Sequence, residues 1–168
     1  TSFSYKGFTL SALFDFQVGG VIHSTSLQWS KYSGMHPETV SFNGESDVRA
    51  NGMVLPGVKA DGSVNDTRVD PQDYYQGYWR RAAPNVYDAS FIKFRDVRLS
   101  YAVPSKMLDK TPFTSLNLSA FGRNLGILYS DVPFIDPQVI TGAGNAQGLE
   151  NAQVPATSSF GFNISAKF

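Results

Sequence analysis

The chain has 168 residues, with aromatic residues at 14%, charged residues at only 17% and a formal net charge of zero. That charge content lies below the roughly 25% usual for soluble domains, and the lack of a basic excess or a basic stripe speaks against nucleic-acid binding. Cysteine is absent, which excludes disulfide scaffolds, thiolate zinc sites and cysteine nucleophiles.

The first residues, Thr1-Ser2-Phe3-Ser4-Tyr5, carry no charged n-region and no apolar h-region, so they are not a signal peptide. Either the chain is mature or its true start lies far upstream. No apolar run is long enough for a transmembrane helix. Hydropathy does not exclude a transmembrane barrel, because barrel strands alternate and their averaged hydrophobicity is modest.

The segment Lys6 to Val18 has period two. Phe8, Leu10, Ala12, Phe14, Phe16 and Val18 are apolar. Gly7, Thr9, Ser11, Asp15 and Gln17 between them are small or polar, with Leu13 the exception. This pattern predicts a strand with two unlike faces. Soluble strands run to about 5–6 residues and tilted membrane strands to about 9–11, so its length favours a membrane strand.

A long connection, Gly19 to Ser90, follows. Val21 to Trp29 is β-compatible and predicts a hairpin extending beyond the membrane. Trp29 and Tyr32 suit the outer interface, where amphipathic rings collect, or packing within the connection. His23 and His36 are the only histidines, and neither has a carboxylate at ligand-like spacing, so no metal site is expected. Asp61 to Asp66 lacks the spacing and the bidentate Glu of a calcium loop and reads as a plain turn. Asp70 to Trp79 predicts a short helix or an irregular loop. It belongs to the cluster Tyr74, Tyr75, Tyr78, Trp79, Arg80 and Arg81. Aromatic faces and guanidinium groups there suit sugar stacking and contact with carboxylate or phosphate. Loop packing or a protein interface is the plainer reading of the same residues.

Phe91 to Val103 places Ile92 and Phe94 on one parity and Val97, Leu99, Tyr101 and Val103 on the other. The slip near Arg95-Asp96 predicts a bulge or a stretch leaving the membrane. Pro104 to Pro112 is a short link. Ser115 to Tyr129 carries Leu116, Leu118 and Ala120, then slips to Phe121, Leu125 and Ile127. Ser130 to Thr157 is a connection of intermediate length, in which Asp131 and Asp136 read as solvated charges. The last segment alternates to the final residue, with Phe160, Phe162, Ile164, Ala166 and Phe168 on one face and Gly161, Asn163, Ser165 and Lys167 on the other.

Short turns on one side and long loops on the other are the pattern of bacterial barrels. The fold class expected is therefore all-β: an antiparallel transmembrane barrel segment of four or so strands, running up, down, up, down. Thr9, Ser11, Asp15, Gln17, Asn163, Ser165 and Lys167 would line its lumen. No nucleophile elbow, zinc-protease motif or phosphate loop occurs. No catalytic residue and no cofactor are assigned.

Several separate motifs, in order, resemble SusC/RagA-type TonB-linked outer-membrane transporters. They are Tyr5-Lys6-Gly7-Phe8 through Asp15-Phe16-Gln17-Val18-Gly19-Gly20, then Val54-Leu55-Pro56-Gly57-Val58, then Val86-Tyr87-Asp88-Ala89-Ser90-Phe91-Ile92-Lys93-Phe94-Arg95 with Leu99-Ser100-Tyr101 and Pro104. Gly122-Arg123-Asn124-Leu125, Asp136-Pro137 and Pro155 to Phe168 continue the match. Ser158 stands where the family pattern often has Arg.

The resemblance implies that residues 1–168 are the carboxy-terminal part of a barrel of about 22 strands with a plugged lumen, the plug and the amino-terminal strands lying outside this chain. It implies TonB as energy source, a SusD-like surface lipoprotein as lid, outer-membrane lipid around the barrel, and glycan oligosaccharides or peptides as nutrients. It makes Phe160, Phe162, Ile164 and Phe168 the expected barrel-assembly signal on the closing strand. A siderophore- or cobalamin-type receptor without a lid stays open, as does a soluble β-sandwich binding module.

Overall fold

The structure, a computed structural model, describes residues 1–142, 144 and 147–168; Ala143, Asn145 and Ala146 of the predicted Ser130–Thr157 connection lie outside the described residues. In chain order its elements are β1 (Ser2–Tyr5), β2 (Phe8–Gln17), β3 (Val21–Ser24), α1 (Thr25–Tyr32), α2 (Val48–Asn51), β4 (Met53–Val54), β5 (Arg68–Val69), α3 (Pro71–Tyr78), β6 (Val86–Asp88), β7 (Phe91–Ala102), α4 (Ser105–Leu108), β8 (Ser115–Ser130), β9 (Leu149–Glu150) and β10 (Ser159–Lys167). Short 3-10 turns stand at Pro37–Thr39 and Ala83–Asn85. Two units form. One comprises Thr1–Gly20, Asp88–Val139 and Val154–Phe168; the other comprises Val21–Tyr87 and Ile140–Gln153.

The first unit is an antiparallel sheet in the order β1-β2-β7-β8-β10. It has five strands, where the sequence pattern marks four. The additional strand, Ser2–Tyr5, is too short to display a period by itself. Its Phe3 and Tyr5 pair with Leu10 and Phe8. The turn between β1 and β2 has two residues, both left-handed, with φ of 46° at Lys6 and 87° at Gly7. This backbone matches the right-handed strand twist. Glycine is required at the second position, since a Cβ there would also lie 3.0 Å from the Ala102 carbonyl oxygen.

Register aligns residue types across all five strands. Phe3, Leu10, Leu99, Ala120 and Phe162 form one cross-strand row. Tyr5, Phe8, Tyr101, Leu118 and Ile164 form the next. On the opposite face the corresponding rows are Ser4, Thr9, Ser100, Ser119 and Asn163, then Ser2, Ser11, Arg98, Phe121 and Gly161. The sheet therefore has one apolar and one polar side. The apolar side is exposed: Phe16 is 72% accessible, Phe160 76%, Phe162 88% and Ile164 71%. A soluble protein avoids so large a contiguous apolar surface, whereas a barrel wall presents one to lipid. Strands β2, β7, β8 and β10 have 10, 12, 16 and 9 residues, enough to cross a membrane at about 9–11 each.

The predicted slip at Arg95-Asp96 is a bulge: β2 and β8 both shift register between Phe94 and Asp96. The slip expected in β8 falls elsewhere. Ala120 and Gly122 share the apolar face, and Phe121 lies on the polar one opposite Arg98 and Gly161. Shifts come at Asn124-Leu125, opposite Arg95, where Asn124 takes a left-handed φ of 51°, and at Leu128, between the partners of Ile92 and Lys93. Phe121 sits on the polar side because its ring fills the space over Gly161, where a Cβ would come within 2.6 Å of it. Arg98 and Arg123 lie 5.8 and 4.9 Å from the ring centroid, so this aromatic is held by cations as well as by the glycine.

In the second unit the predicted β segment from Val21 stops at Ser24, after four residues in a sheet of order β6-β3-β9. The Ser24 hydroxyl accepts the Leu27 N–H at 3.1 Å and caps α1, so the chain turns helical from Thr25. The segment forms no hairpin; β3 pairs in parallel with β9. Asp70 caps α3 by accepting the Gln72 N–H at 2.6 Å, with Pro71 in the first turn, so Pro71–Tyr78 is helix. Val48, Met53 and Tyr75 form the buried centre of this unit, with Phe42, Leu55, Val69 and Tyr74 around it.

The two-sided register makes a direct expectation. Leu99→Arg, on the apolar row of a central strand, should destabilise the folded barrel by about 2–4 kcal/mol in a bilayer. Ser100→Arg, one residue on, should leave it nearly unchanged. Unfolding of the full-length protein in lipid vesicles, followed by its heat-modifiable gel mobility, measures both.

Candidate functional site

On the polar side of the sheet the alternating pattern brings charges together. Lys93 on β7 is 2% exposed and its Nζ stands 2.6 Å from Asp136 Oδ2, on a carboxylate that is itself 10% exposed. This corrects the expectation that Asp136 is a solvated loop charge. The carboxylate is folded onto the sheet, because a buried ammonium must be paired. Asp131 stays exposed and accepts the Tyr129 hydroxyl at 2.6 Å. Asp15 on β2 accepts from Arg95 Nε and Nη2 at 3.1 and 2.9 Å and from Gln138 Nε2 at 2.8 Å. The Gln138 N–H in turn donates to Asp136 Oδ1 at 3.0 Å. One connected network therefore ties residues 136–138 to three positions of the barrel wall. Arg95, the bulge residue, aims at Asp15 across β2 because of that bulge.

The predicted aromatic cluster divides. Tyr74 and Tyr78 stack at 4.5 Å, and the Arg81 guanidinium lies 4.4 Å over Tyr78. Trp79 packs instead on Trp29 at 4.6 Å and Tyr32 at 5.5 Å. Trp29 and Tyr32 thus pack within the connection, joined to a residue 50 positions later in sequence. Tyr75 is a core residue, 8% exposed, whose hydroxyl donates to Glu38 at 3.2 Å. Burial, with the Glu38 charge, pushes this phenol well above its ordinary value. Arg80 is exposed and makes no ion pair or ring contact among the described residues. Tyr74, Tyr75, Tyr78 and Trp79 border a cleft of about 100 Å³ with Gln28 and Glu38. That is too small for an oligomeric ligand; Tyr78, Arg80 and Arg81 are the exposed members of the cluster and Trp79 is half-buried.

Among the described residues no group of three or more His, Cys, Asp or Glu is placed to hold a metal ion. The imidazole Nδ1 of His36 accepts the Glu38 N–H at 3.2 Å, a turn-capping role. Asp61 accepts the Ser63 N–H at 2.9 Å and closes an ordinary turn.

Glu150 on β9 was not singled out by the sequence. It is 3% exposed and accepts from the Ser24 hydroxyl at 2.6 Å, the Ser26 hydroxyl at 2.5 Å, the Ser26 N–H at 3.1 Å and the Ala152 N–H at 2.7 Å. It joins the two chain stretches of its unit at the amino end of α1. Burial works to raise this carboxyl, yet the donors of Ser24, Ser26 and Ala152 hold it below its ordinary value of 4.5.

No family model matches the chain. Among curated proteins it is similar to TonB-dependent receptor P3 of Formosa agariphila, 28% identical over 89 residues that make up 49% of this chain and 9% of that protein. Among solved structures it superposes on the RagAB peptide importer in its closed-closed state with a TM-score of 0.64 at 18% identity, covering 98% of this chain and 16% of that one. The open-open state gives 0.63 at 18% identity and the same coverage. The structure of the RagAB peptide transporter gives 0.62 at 17%. This chain thus spans about a sixth of the length of the structures it matches. The fold is that of an antiparallel β-barrel segment. In sequence motifs and in fold alike, the chain resembles TonB-dependent receptors of the SusC/RagA type.

Two outcomes are expected. Lys93→Met alone strands the Asp136 carboxylate and should cost about 3–5 kcal/mol of barrel stability, most of it restored in Lys93→Met/Asp136→Leu; denaturant unfolding of the full-length protein reads both. For Glu150, whose folded value is depressed, the folded state binds fewer protons than the unfolded one. Its contribution is therefore complete above the ordinary carboxylate range and is lost as pH falls through the lower folded value. Hydrogen-exchange protection of His23 and Ser24 should hold down to about pH 5 and fall below it. In Glu150→Gln it should be weaker and flat over that range.

Proposed function

We propose that this chain is the carboxy-terminal barrel segment of an outer-membrane, TonB-dependent importer of oligomeric nutrients, working beneath a SusD-like surface lipoprotein. The observation that carries this reading is the continuous exposed apolar face of the five-stranded sheet, backed by a polar face with ion pairs. Lipid accounts for the first and a polar lumen for the second. Likeness to a TonB-dependent receptor and to a peptide importer supports the transport role.

In this reading both long connections, 18–90 and 131–158, leave the same end of the sheet and face outside, while the Lys6-Gly7 turn and the 103–114 link face the periplasm. Sheet edges on β1 and β10 cannot remain open in a membrane, so both pair with strands beyond this chain. Phe160, Phe162 and Ile164 on β10, followed by Phe168 against Phe113 at 5.3 Å, are the features read during barrel insertion. Cargo binds under the lid, TonB pulling rearranges a plug held against the polar face, and the cargo passes through the lumen. Tyr78, Trp79 and Arg81 offer the stacking and anion-binding surface for glycan or peptide cargo.

Isolation of the full-length protein from outer membranes in mild detergent tests the assembly. A stoichiometric lipoprotein is expected to co-purify, and its absence favours a siderophore- or cobalamin-type receptor instead. Tyr78→Ala/Trp79→Ala should reduce TonB-dependent uptake of cognate oligomers by about tenfold, the order expected for losing two stacking anchors. Unchanged uptake with intact assembly retires the cargo role of that surface.

A further inference from the structure

A second concavity in the same unit, distinct from the narrow cleft under Tyr74, is built around Arg49. It has a volume of about 400 Å³ and is walled by Lys31, Tyr32, Thr39, Arg49, Gln72 and Gln76, with Asp70 and Pro71 at the start of α3. That is within the range of about 300–1,000 Å³ typical of ligand sites.

The charges around it are not all paired at close range. Lys31 Nζ is answered by Glu38 at 3.1 Å. Asp70 accepts the Gln72 N–H at the start of α3 and forms no ion pair among the described residues. Arg49 faces no carboxylate within ion-pair distance among the described residues. Its Nε donates to the Thr39 carbonyl at 3.1 Å, and its Nη2 donates to Thr39 Oγ1 at 2.8 Å and to the Gly34 carbonyl. All three acceptors are neutral. They fix the guanidinium plane while leaving its charge unneutralised and Nη1 without a hydrogen bond among the described residues. A guanidinium held in place by neutral acceptors is a preorganised receptor for a carboxylate, since little entropy remains to be lost on binding. Tyr32 borders this concavity and also packs on Trp79, so the anion-binding point adjoins the aromatic surface.

We infer that this concavity is a subsite for acidic cargo: it takes a carboxylate of an oligomer, with Arg49 as its ionic partner and the side-chain amides of Gln72 and Gln76 as flanking donors. This rests on the importer reading above and narrows it to cargo that carries carboxylates. Acidic peptides and uronic-acid oligosaccharides share that chemistry.

The test uses the full-length transporter with its partner in detergent, titrated calorimetrically with two matched pairs: tetraglutamate against tetraglutamine, and trigalacturonate against its methyl ester. In one pair the acidic member should bind about tenfold tighter, as for one desolvated charge contact, and the pair that shows it names the source of the carboxylate. Arg49→Gln should abolish that preference and Arg49→Lys should keep part of it. Gln76→Glu introduces a like charge where no hydrogen bond is lost, so it serves even if Arg49→Gln fails to assemble; it should weaken the acidic member about tenfold and spare the neutral one. Equal binding within both pairs, or a preference that survives Arg49→Gln or Gln76→Glu, overturns the inference. TonB-dependent uptake of cargo that persists alongside equal binding leaves the importer reading standing and removes the acidic subsite alone. Loss of TonB-dependence in the intact transporter overturns both.

Discussion

Strand register is the constraint on which the rest depends. Side chains alternate between the two faces of a strand, so a slip of one residue exchanges the entire apolar set for the polar one. In this sheet such a slip of β7 would carry Leu99 and Tyr101 to the side of Arg98 and Ser100. The two unlike faces hold because register changes are shared. Arg95 bulges out of β7 against both neighbours at once, and Asn124-Leu125 takes up the difference on β8. Across the bulge Val97, Leu99 and Tyr101 therefore keep the side of Phe94 and Ile92, opposite Phe14 and Phe16 on β2, while Phe91, Phe121 and Ile127 lie on the polar side.

The same bulge organises the polar side. It aims Arg95 at Asp15, while Lys93, two residues earlier, meets Asp136. Gln138 bridges to Asp15. Three side chains of the wall thus hold the start of the second long connection. Buried ionic pairs add little net stability once desolvation is counted, but losing one partner is expensive. Their effect here is to fix one path for residues 136–138 as they leave β8. The second unit depends on a comparable device: Glu150, brought by the second connection, seats on the amino end of α1, which comes from the first. A single carboxylate with four donors does what a longer strand pairing does elsewhere.

Much of the sheet was legible from sequence because period two is a strong, local signal. Phe160 to Lys167 displays it without interruption, Phe8 to Gln17 breaks it only at Leu13, and the slip at Arg95-Asp96 marks a bulge. Phe121 is hydrophobic yet faces the polar side, so hydrophobicity alone does not predict its facing. Its place on the polar side is set by Gly161 on a neighbouring strand 40 residues away, and pairing partners of that kind leave no local trace. Ser2–Tyr5 was too short to show a period. Asp136 looked like a loop charge because its partner, Lys93, lies in a strand 43 residues earlier. In the candidate site the aromatic-arginine composition was visible, but its division was not. Tyr75 turns inward at the helical spacing of the buried side of α3, and Trp79 is drawn to Trp29 and Tyr32 by tertiary packing. Arg49, an isolated arginine in a polar stretch, carries no sequence signal that would separate it from an ordinary surface cation.

The central claim is that one side of this sheet faces lipid and the other a polar lumen, and single-cysteine spin labelling on a cysteine-free background of the full-length protein measures it, with no cysteine to replace in residues 1–168. Labels placed in turn at Val97, Arg98, Leu99, Ser100 and Tyr101 of the full-length protein in vesicles are read for collision with oxygen, which concentrates in lipid, and with a water-soluble nickel chelate. The account predicts strict alternation, with oxygen maxima at Val97, Leu99 and Tyr101 and reduced oxygen access at Arg98 and Ser100. Uniform water access along the segment, or maxima in the opposite phase, would contradict it.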